Sequence, residues 1–283
     1  MSHLVIQRTV VRMLYDAAFA RAVYADREAA LAGLELTPAE RDALVRPDPR
    51  AYATDPYRRA RALHGLLMEY PASAWLASRA TRDVRKLDAF FSAPEFHDCI
   101  ATRGSLAAAF AAYLQHTPFG DARIVSLARL ESAIARVRRA PHRPGVHQTP
   151  PRPARGGDLL ELSPRHAVVE LPSGTAALYE AIASHVRSGG DDVSAFLLRD
   201  LTRLSRFNVP FDTSTFAFLH IENTLEGSVA IAAATPELAQ LLMFAAAGRT
   251  RSALASQACD LGAEPDEATA ILDDLLRDGI LIP

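Results

Sequence analysis

The C-terminal stretch from Thr235 to Pro283 places the strongest constraint on the fold of this chain. Apolar residues recur there at helical spacing in three short segments, which end at Gly248, Gly262 and Asp278-Gly279. Glycine is the residue most suited to the left-handed conformation that ends a helix. A short apolar run, Ile280 to Ile282, follows and predicts a strand. Three helices followed by a strand are typical of a winged helix-turn-helix.

The charge of the third predicted helix distinguishes between two uses of such a domain. One basic residue, Arg277, faces an acidic set: Glu264, Asp266, Glu267, Asp273, Asp274 and Asp278. DNA binding requires Lys and Arg near the phosphates, so this helix disfavours a duplex. Two strand-like runs, 216–222 and 228–233, precede the helices and could accept an extended peptide as an added strand. A plain α+β core without a ligand remains the open alternative.

Composition indicates a soluble cytoplasmic protein. The chain has 283 residues and a formal net charge of −2, which gives no general attraction to nucleic acid or membranes. Two distant cysteines, Cys99 and Cys259, indicate a reducing compartment rather than a disulfide framework. No signal peptide and no apolar run long enough to cross a bilayer is expected.

The pattern along the chain predicts an α+β protein with two domains. Residues 1–140 are expected to form an all-helical domain, which starts with one long helix over 4–32, with room for a single break, and includes buried aromatics at 90–96. A Pro- and Arg-rich linker is predicted over 141–157. Residues 158–283 are then expected to form a small α+β winged-helix domain.

Within that second domain, the runs on either side of Ser163-Pro164-Arg165 predict a β-hairpin, and Gly174-Thr175 is expected to open a helix that extends to Ser188. A further helix is predicted over 193–204.

No catalytic constellation is recognisable in the sequence. The histidines are scattered without the spacing of a zinc site, and no nucleophile elbow, phosphate loop or dinucleotide fingerprint is present. The segment Pro172-Ser173-Gly174-Thr175 precedes a predicted helix but lacks the lysine and the glycine spacing of a phosphate loop. We therefore predict no catalytic residue and no metal ligand in this chain.

Two short motifs carry a resemblance to a known family. Glu69-Tyr70-Pro71 and Phe90-Phe91-Ser92-Ala93-Pro94-Glu95-Phe96, together with the Pro-rich joint and the C-terminal winged helix, resemble the partner proteins of multinuclear non-heme iron-dependent oxidative enzymes. The partner subunits of the methanobactin and thiaglutamate pathways are of this kind. The resemblance implies a heterodimer in which the iron belongs to the oxidase and this chain has no cofactor.

The same resemblance implies a peptide-binding role for the C-terminal domain. That domain looks like a RiPP recognition element, which binds the leader of a ribosomally made precursor peptide beside its last strand and on its third helix. Carried onto this chain, the peptide-binding residues are Val229, Ala230, Ile231, Ala232, Ala233, Glu267, Ile271, Asp274 and Leu275. Such elements have three strands before the helices, so the third strand is expected from the segment near Ser163-Pro164.

Two other hypotheses stay open at the level of sequence. The first is a winged-helix regulator that binds DNA or another protein. The second is a small enzyme subunit, since Leu36 to Arg41 is reminiscent of the helical small subunits of some ring-opening dioxygenases.

Overall fold

The computed structural model describes residues 2–53, 55, 57–83, 85–116, 119, 121–140, 159–188, 209–224 and 228–283. Helices and two small antiparallel sheets make this a mixed α+β protein. The predicted linker over 141–157 and the predicted helix over 193–204 lie outside the described residues. In the parts that are described, no helix combines the length and apolar character needed to cross a membrane.

The chain divides into two compact units, one formed by Met1–Ala128 with Ala181–Phe207 and the other by Arg129–Glu180 with Asn208–Pro283. The first unit is helical in its described residues. Its helices are α1 (Ser2–Tyr15), α2 (Ala17–Ala25), α3 (Arg27–Ala30), α4 (Pro38–Val45), α5 (Arg58–Glu69), α6 (Pro71–Thr81), α7 (Arg85–Asp88), α8 (Pro94–Thr102), α9 (Leu106–His116) and the first part of α10 (Ala122–Arg138), with short 3-10 turns at Pro49–Ala53 and Ala89–Ser92.

The long helix predicted over 4–32, with room for a single break, is wrong in its continuity, because two aspartates divide the segment into three helices. Asp16 Oδ1 accepts hydrogen bonds from the backbone N–H groups of Ala18 and Phe19 at 3.1 and 3.0 Å. Asp26 Oδ1 accepts one from the N–H of Ala29 at 3.0 Å. An aspartate that caps free N–H groups favours the start of a new helix over continuation of the old one.

Aromatic side chains form the centre of the first unit, as the sequence predicted for 90–96. Phe90 is fully buried, and its ring centroid lies 5.4, 5.5, 5.2 and 5.6 Å from those of Phe91, Phe96, Phe110 and Tyr113. Tilted and edge-to-face pairs at these distances add to the stabilisation that burial provides. The short 3-10 turn before Pro94 brings these rings together.

The second unit contains both sheets. Its elements are the rest of α10, β1 (Leu159–Leu162), β2 (His166–Ser173), the first part of α11 (Thr175–Ser188), β3 (Asp212–Asn223), β4 (Val229–Ala234), α12 (Pro236–Ala245), β5 (Arg249–Thr250), α13 (Arg251–Asp260), α14 (Pro265–Arg277) and β6 (Leu281–Ile282). One sheet has the order β5-β1-β6 and the other the order β2-β3-β4, and all pairs are antiparallel.

The hairpin predicted around Ser163-Pro164 is wrong, because β1 and β2 belong to different sheets. β1 pairs with β5 and β6, and the N–H of Ser163 extends that pairing by donating to the carbonyl of Ile280 at 2.9 Å. β2 pairs with β3 along its whole length. The expected third strand of the second sheet therefore does come from this segment, as β2.

Two cores hold the second unit together. One face of the β2-β3-β4 sheet packs on the end of α10, through Ala167, Leu171, Leu219 and Ile221 against Leu130, Ala133, Ile134 and Val137. A separate core joins α12, α13 and α14 with β1 and β6, through Leu160, Leu242, Leu254, Leu272 and Leu281. The end of α10 thus belongs to the core of the second unit, although it lies before the predicted domain boundary at 140.

Candidate peptide-binding edge and groove

β4 has a partner strand on one side only within the described residues. The N–H of Thr224 donates to the carbonyl of Ser228 at 2.8 Å, and the N–H of Asn223 donates in the opposite direction, to the carbonyl of Arg165 at 2.9 Å. Hydrogen-bonded and non-bonded residue pairs alternate along an antiparallel ladder. Asn223 pairs with Val229 in the register of β3 and β4, and its N–H points away from β4, so this pair is a non-bonded one. By the same alternation, the backbone N–H and C=O groups of Val229, Ile231 and Ala233 point away from β3, toward the open edge.

The side chains of β4 leave this edge unprotected. Val229 and Ile231 are half-buried against the core on α10, while Ala230, Ala232 and Ala233 are exposed. Natural edge strands usually carry a charge, a proline or a bulge that prevents another strand from pairing. β4 has none of these, so neither a side chain nor a charge prevents another strand from pairing with its outward backbone groups.

A groove of about 330 Å³ begins where β4 ends. Thr235, directly after β4, caps α12, because its hydroxyl oxygen accepts the N–H of Leu238 at 3.3 Å. Leu238 and Leu241 of α12 form one wall, and Glu267 and Ile271 of α14 form another. The lining is mainly apolar, and each wall also carries a carboxylate, that of Glu237 on α12 and that of Glu267 on α14.

The structure divides the four predicted residues of the third helix into three positions. Glu267 and Ile271 line the groove, with Glu267 exposed and Ile271 half-buried. Asp274 is exposed one turn further along, and its carboxylate lies 2.6 Å from the guanidinium of Arg277. Leu275 is buried in the core with Leu272, so its side chain stabilises the helix packing and is not presented to a ligand.

The sequence prediction did not include the wall that α12 provides. Thr235, Glu237 and Leu238 lie at the beginning of that helix, directly after the predicted strand residues. The turn at Leu261, Gly262 and Ala263 also lines the groove. The signal that could have identified the wall is the capped start Thr235-Pro236-Glu237, which forces the chain from the end of β4 directly into a helix.

A histidine pair lies on the neighbouring strands. His166 of β2 is buried, and its Nδ1 lies 3.1 Å from Nε2 of His220 on β3. Burial, then the neighbouring His220 and then Arg165, lower the pKa of His166 to about 4. Burial also lowers the pKa of His220, against an opposing effect of Glu222. Both imidazoles are therefore neutral near pH 7 and joined by one hydrogen bond.

No group of three or more His, Cys, Asp or Glu residues within the described residues is arranged to hold a metal ion. The histidine pair supplies two nitrogens that point at each other, which is the geometry of a hydrogen bond.

Comparison with known protein families finds no matching family model, and no curated protein matches the chain significantly.

Proposed function

We propose that this chain is a non-catalytic accessory subunit that binds the leader of a ribosomally synthesised precursor peptide and presents it to a multinuclear iron oxidase. The open edge of β4 is the observation that carries the proposal. Three outward-facing backbone positions, Val229, Ile231 and Ala233, are paired with nothing in the described chain and match the spacing of an added strand. The iron oxidase is proposed as the partner because residues 69–71 and 90–96 resemble motifs of the partner proteins of such enzymes.

The groove beside the edge supports the same proposal. Strand addition gives affinity through the backbone, and side-chain pockets give specificity. A peptide paired along β4 would pass Thr235 and reach the apolar parts of the two walls, formed by Leu238, Leu241 and Ile271. An aliphatic side chain of the leader would pack between these walls.

The arrangement of the C-terminal helices supports a winged-helix recognition domain. The order of elements matches that fold: α12, β5, α13, α14 and β6. The middle strand of the β5-β1-β6 sheet is β1, which precedes the helices in sequence. The exposed surface of α14 bears Asp266, Glu267 and Asp274, and Asp278 follows directly after its last residue; these carboxylates would repel the phosphates of DNA. The charge of this helix thus favours peptide over duplex as the ligand.

One binding experiment tests the peptide edge. The short peptide encoded beside a neighbouring iron-enzyme gene is labelled with fluorescein and titrated with the full chain by fluorescence anisotropy. Ile231→Pro removes an outward N–H that β3 does not use, and Ile231→Ala removes similar packing while keeping that N–H. Ile231→Pro is expected to bind at least about tenfold more weakly than Ile231→Ala, because at least one backbone hydrogen bond is lost along with steric fit. Equal affinities of the two folded variants would overturn strand addition.

A second experiment tests the partner. The chain is co-expressed with the neighbouring iron enzyme, and the two are purified through a tag on one of them. We expect a stoichiometric complex, and peptide oxidation only when both chains are present. Full oxidation by the iron enzyme alone would exclude the presenting role, whereas a salt-sensitive gel shift with DNA would favour the regulator.

A further inference from the structure

A second cleft, unrelated to the peptide edge, lies in the helical unit between α1 and α8 and has a volume of about 470 Å³. Arg8 and Arg12 enter it from α1, one helical turn apart, and His97 enters it from α8. Phe19, Leu34 and Ile100 provide apolar walls. Three basic side chains thus converge on a cavity with a partly apolar lining.

One nitrogen of each of these basic groups is buried without a partner. Nε of Arg8, Nε of Arg12 and Nε2 of His97 have no hydrogen-bond partner among the described residues. The nearest carboxylate to His97 is that of Asp16, whose Oδ2 lies 3.6 Å from Nε2, beyond hydrogen-bonding distance. The other oxygen of Asp16 already caps α2. Buried polar groups are almost always satisfied, so these three require an explanation.

The local charges indicate what would satisfy the two arginines. Burial lowers the pKa of Arg12, an effect that Asp16 opposes only in part, and burial followed by the charge of Arg12 lowers the pKa of His97. The guanidinium carbon of Arg12 lies 3.8 Å from the centre of the Phe19 ring, so one face of the guanidinium packs on this ring. The edges of the guanidinium, which carry its N–H donors, are the part suited to an oxyanion.

We infer that this cleft binds a small organic monocarboxylate with an apolar body, its carboxylate between Arg8 and Arg12 and its body against Phe19, Leu34 and Ile100. Arginine forks match a carboxylate in two-point geometry. His97 also lines the cleft, but its ring donates a hydrogen bond to the backbone of Phe91, so the neutral imidazole has no donor at Nε2 and the two arginines carry the recognition. Exposed Glu35 and Asp98 also line the cleft and oppose a dianion, which favours a monocarboxylate over phosphate.

Isothermal titration calorimetry of the full chain tests this assignment, with hexanoate as the probe. Hexanamide has a similar shape without the charge, and inorganic phosphate has the charge without the apolar body. We expect saturable binding of hexanoate, at least about tenfold weaker binding of hexanamide because hydrogen bonds to a charged acceptor are lost, and weaker binding of phosphate.

Substitutions then locate the site. Arg8→Gln and Arg12→Gln are each expected to weaken hexanoate binding about tenfold or more, while Arg21→Gln, an exposed arginine of α2 outside this cleft, leaves it unchanged. Two arginine variants are used because loss of the Arg12–Phe19 contact can disturb folding, and circular dichroism verifies the fold of each. Absence of saturable hexanoate binding, equal binding of hexanamide, or unchanged affinity in a folded Arg8→Gln variant would overturn the assignment.

Discussion

His166 and His220 form a hydrogen-bonded pair of imidazoles whose ring planes are parallel to within 3°. One ring nitrogen donates a proton and the other accepts it, so at least one imidazole must be neutral. His220 stands on β3, directly beside the open-edge strand β4 and opposite its Ala232, while His166 stands on β2 at the other side of β3. Protonation of both rings would replace the bond with repulsion in a buried site.

Because of this pair, we expect the free energy of unfolding to fall as the pH is lowered. The folded pKa of His166 is lowered to about 4, so the unfolded chain binds the proton first as the pH falls below its ordinary value of 6.5. The contribution of the neutral pair is therefore complete above pH 6.5 and is lost between pH 6.5 and about 4. The loss amounts to about 3 kcal/mol at most. Urea unfolding at stepped pH values measures it.

The variant His166→Phe provides the comparison for that experiment. It keeps a ring at the buried position and removes one of the two titrating imidazoles, so its free energy of unfolding should depend less on pH between 6.5 and 4 than that of the wild type, although His220 still titrates. Parallel pH profiles would contradict the role of the pair.

Local chemistry in the sequence predicted the elements of the fold better than their partners. The helix ends at Gly248, Gly262 and Gly279, where φ is positive, and β2 as the third strand are confirmed. The hairpin at Ser163-Pro164 was wrong because alternating apolar residues identify a strand without identifying which sheet it joins.

The candidate site could be predicted only where it is contiguous in sequence. The run over 229–233 is an edge strand, and Glu267 and Ile271 line a groove, but Leu275 is core. Leu275 and Ile271 are four residues apart and so share a broad apolar side of the helix, and only the position of α12 determines which of them is covered.

Gly174 is predicted to be essential for folding of the second unit. Its φ is +88°, and a Cβ atom there would lie 2.0 Å from the carbonyl oxygen of Pro210. Gly174→Ala is expected to lower the free energy of unfolding by about 2–4 kcal/mol, because backbone strain and a backbone clash add. Gly65→Ala is the matched control, since Gly65 has nothing within 4 Å and lies in α5. It should change stability by less than about 1 kcal/mol, in the stabilising direction.

Phe90 is predicted to be the largest single contributor to the aromatic core. Phe90→Ala removes a side chain with no exposed surface and four close ring contacts, and is expected to cost about 3–5 kcal/mol. Phe216→Ala provides a control with the same chemistry at a position that is 55% exposed. That variant should cost less than about 1 kcal/mol. Denaturant unfolding measures both, and equal losses would contradict the assignment of Phe90 as the core.

Ile271 and Leu275 are predicted to affect different properties of the same helix. Ile271→Ser removes an apolar wall of the groove, so it should weaken binding of the labelled precursor peptide about tenfold while the protein stays folded. Leu275→Ala creates a cavity in the core and should cost about 2–5 kcal/mol of stability, with binding retained in the folded fraction. Asp274→Ala, exposed and outside the groove, should change neither property. Fluorescence anisotropy and urea unfolding on the same preparations separate the two effects.

If Ile271→Ser bound the peptide as tightly as Asp274→Ala, the ligand would not enter this groove. The Ile231 variants alone would then test the role of the β4 edge.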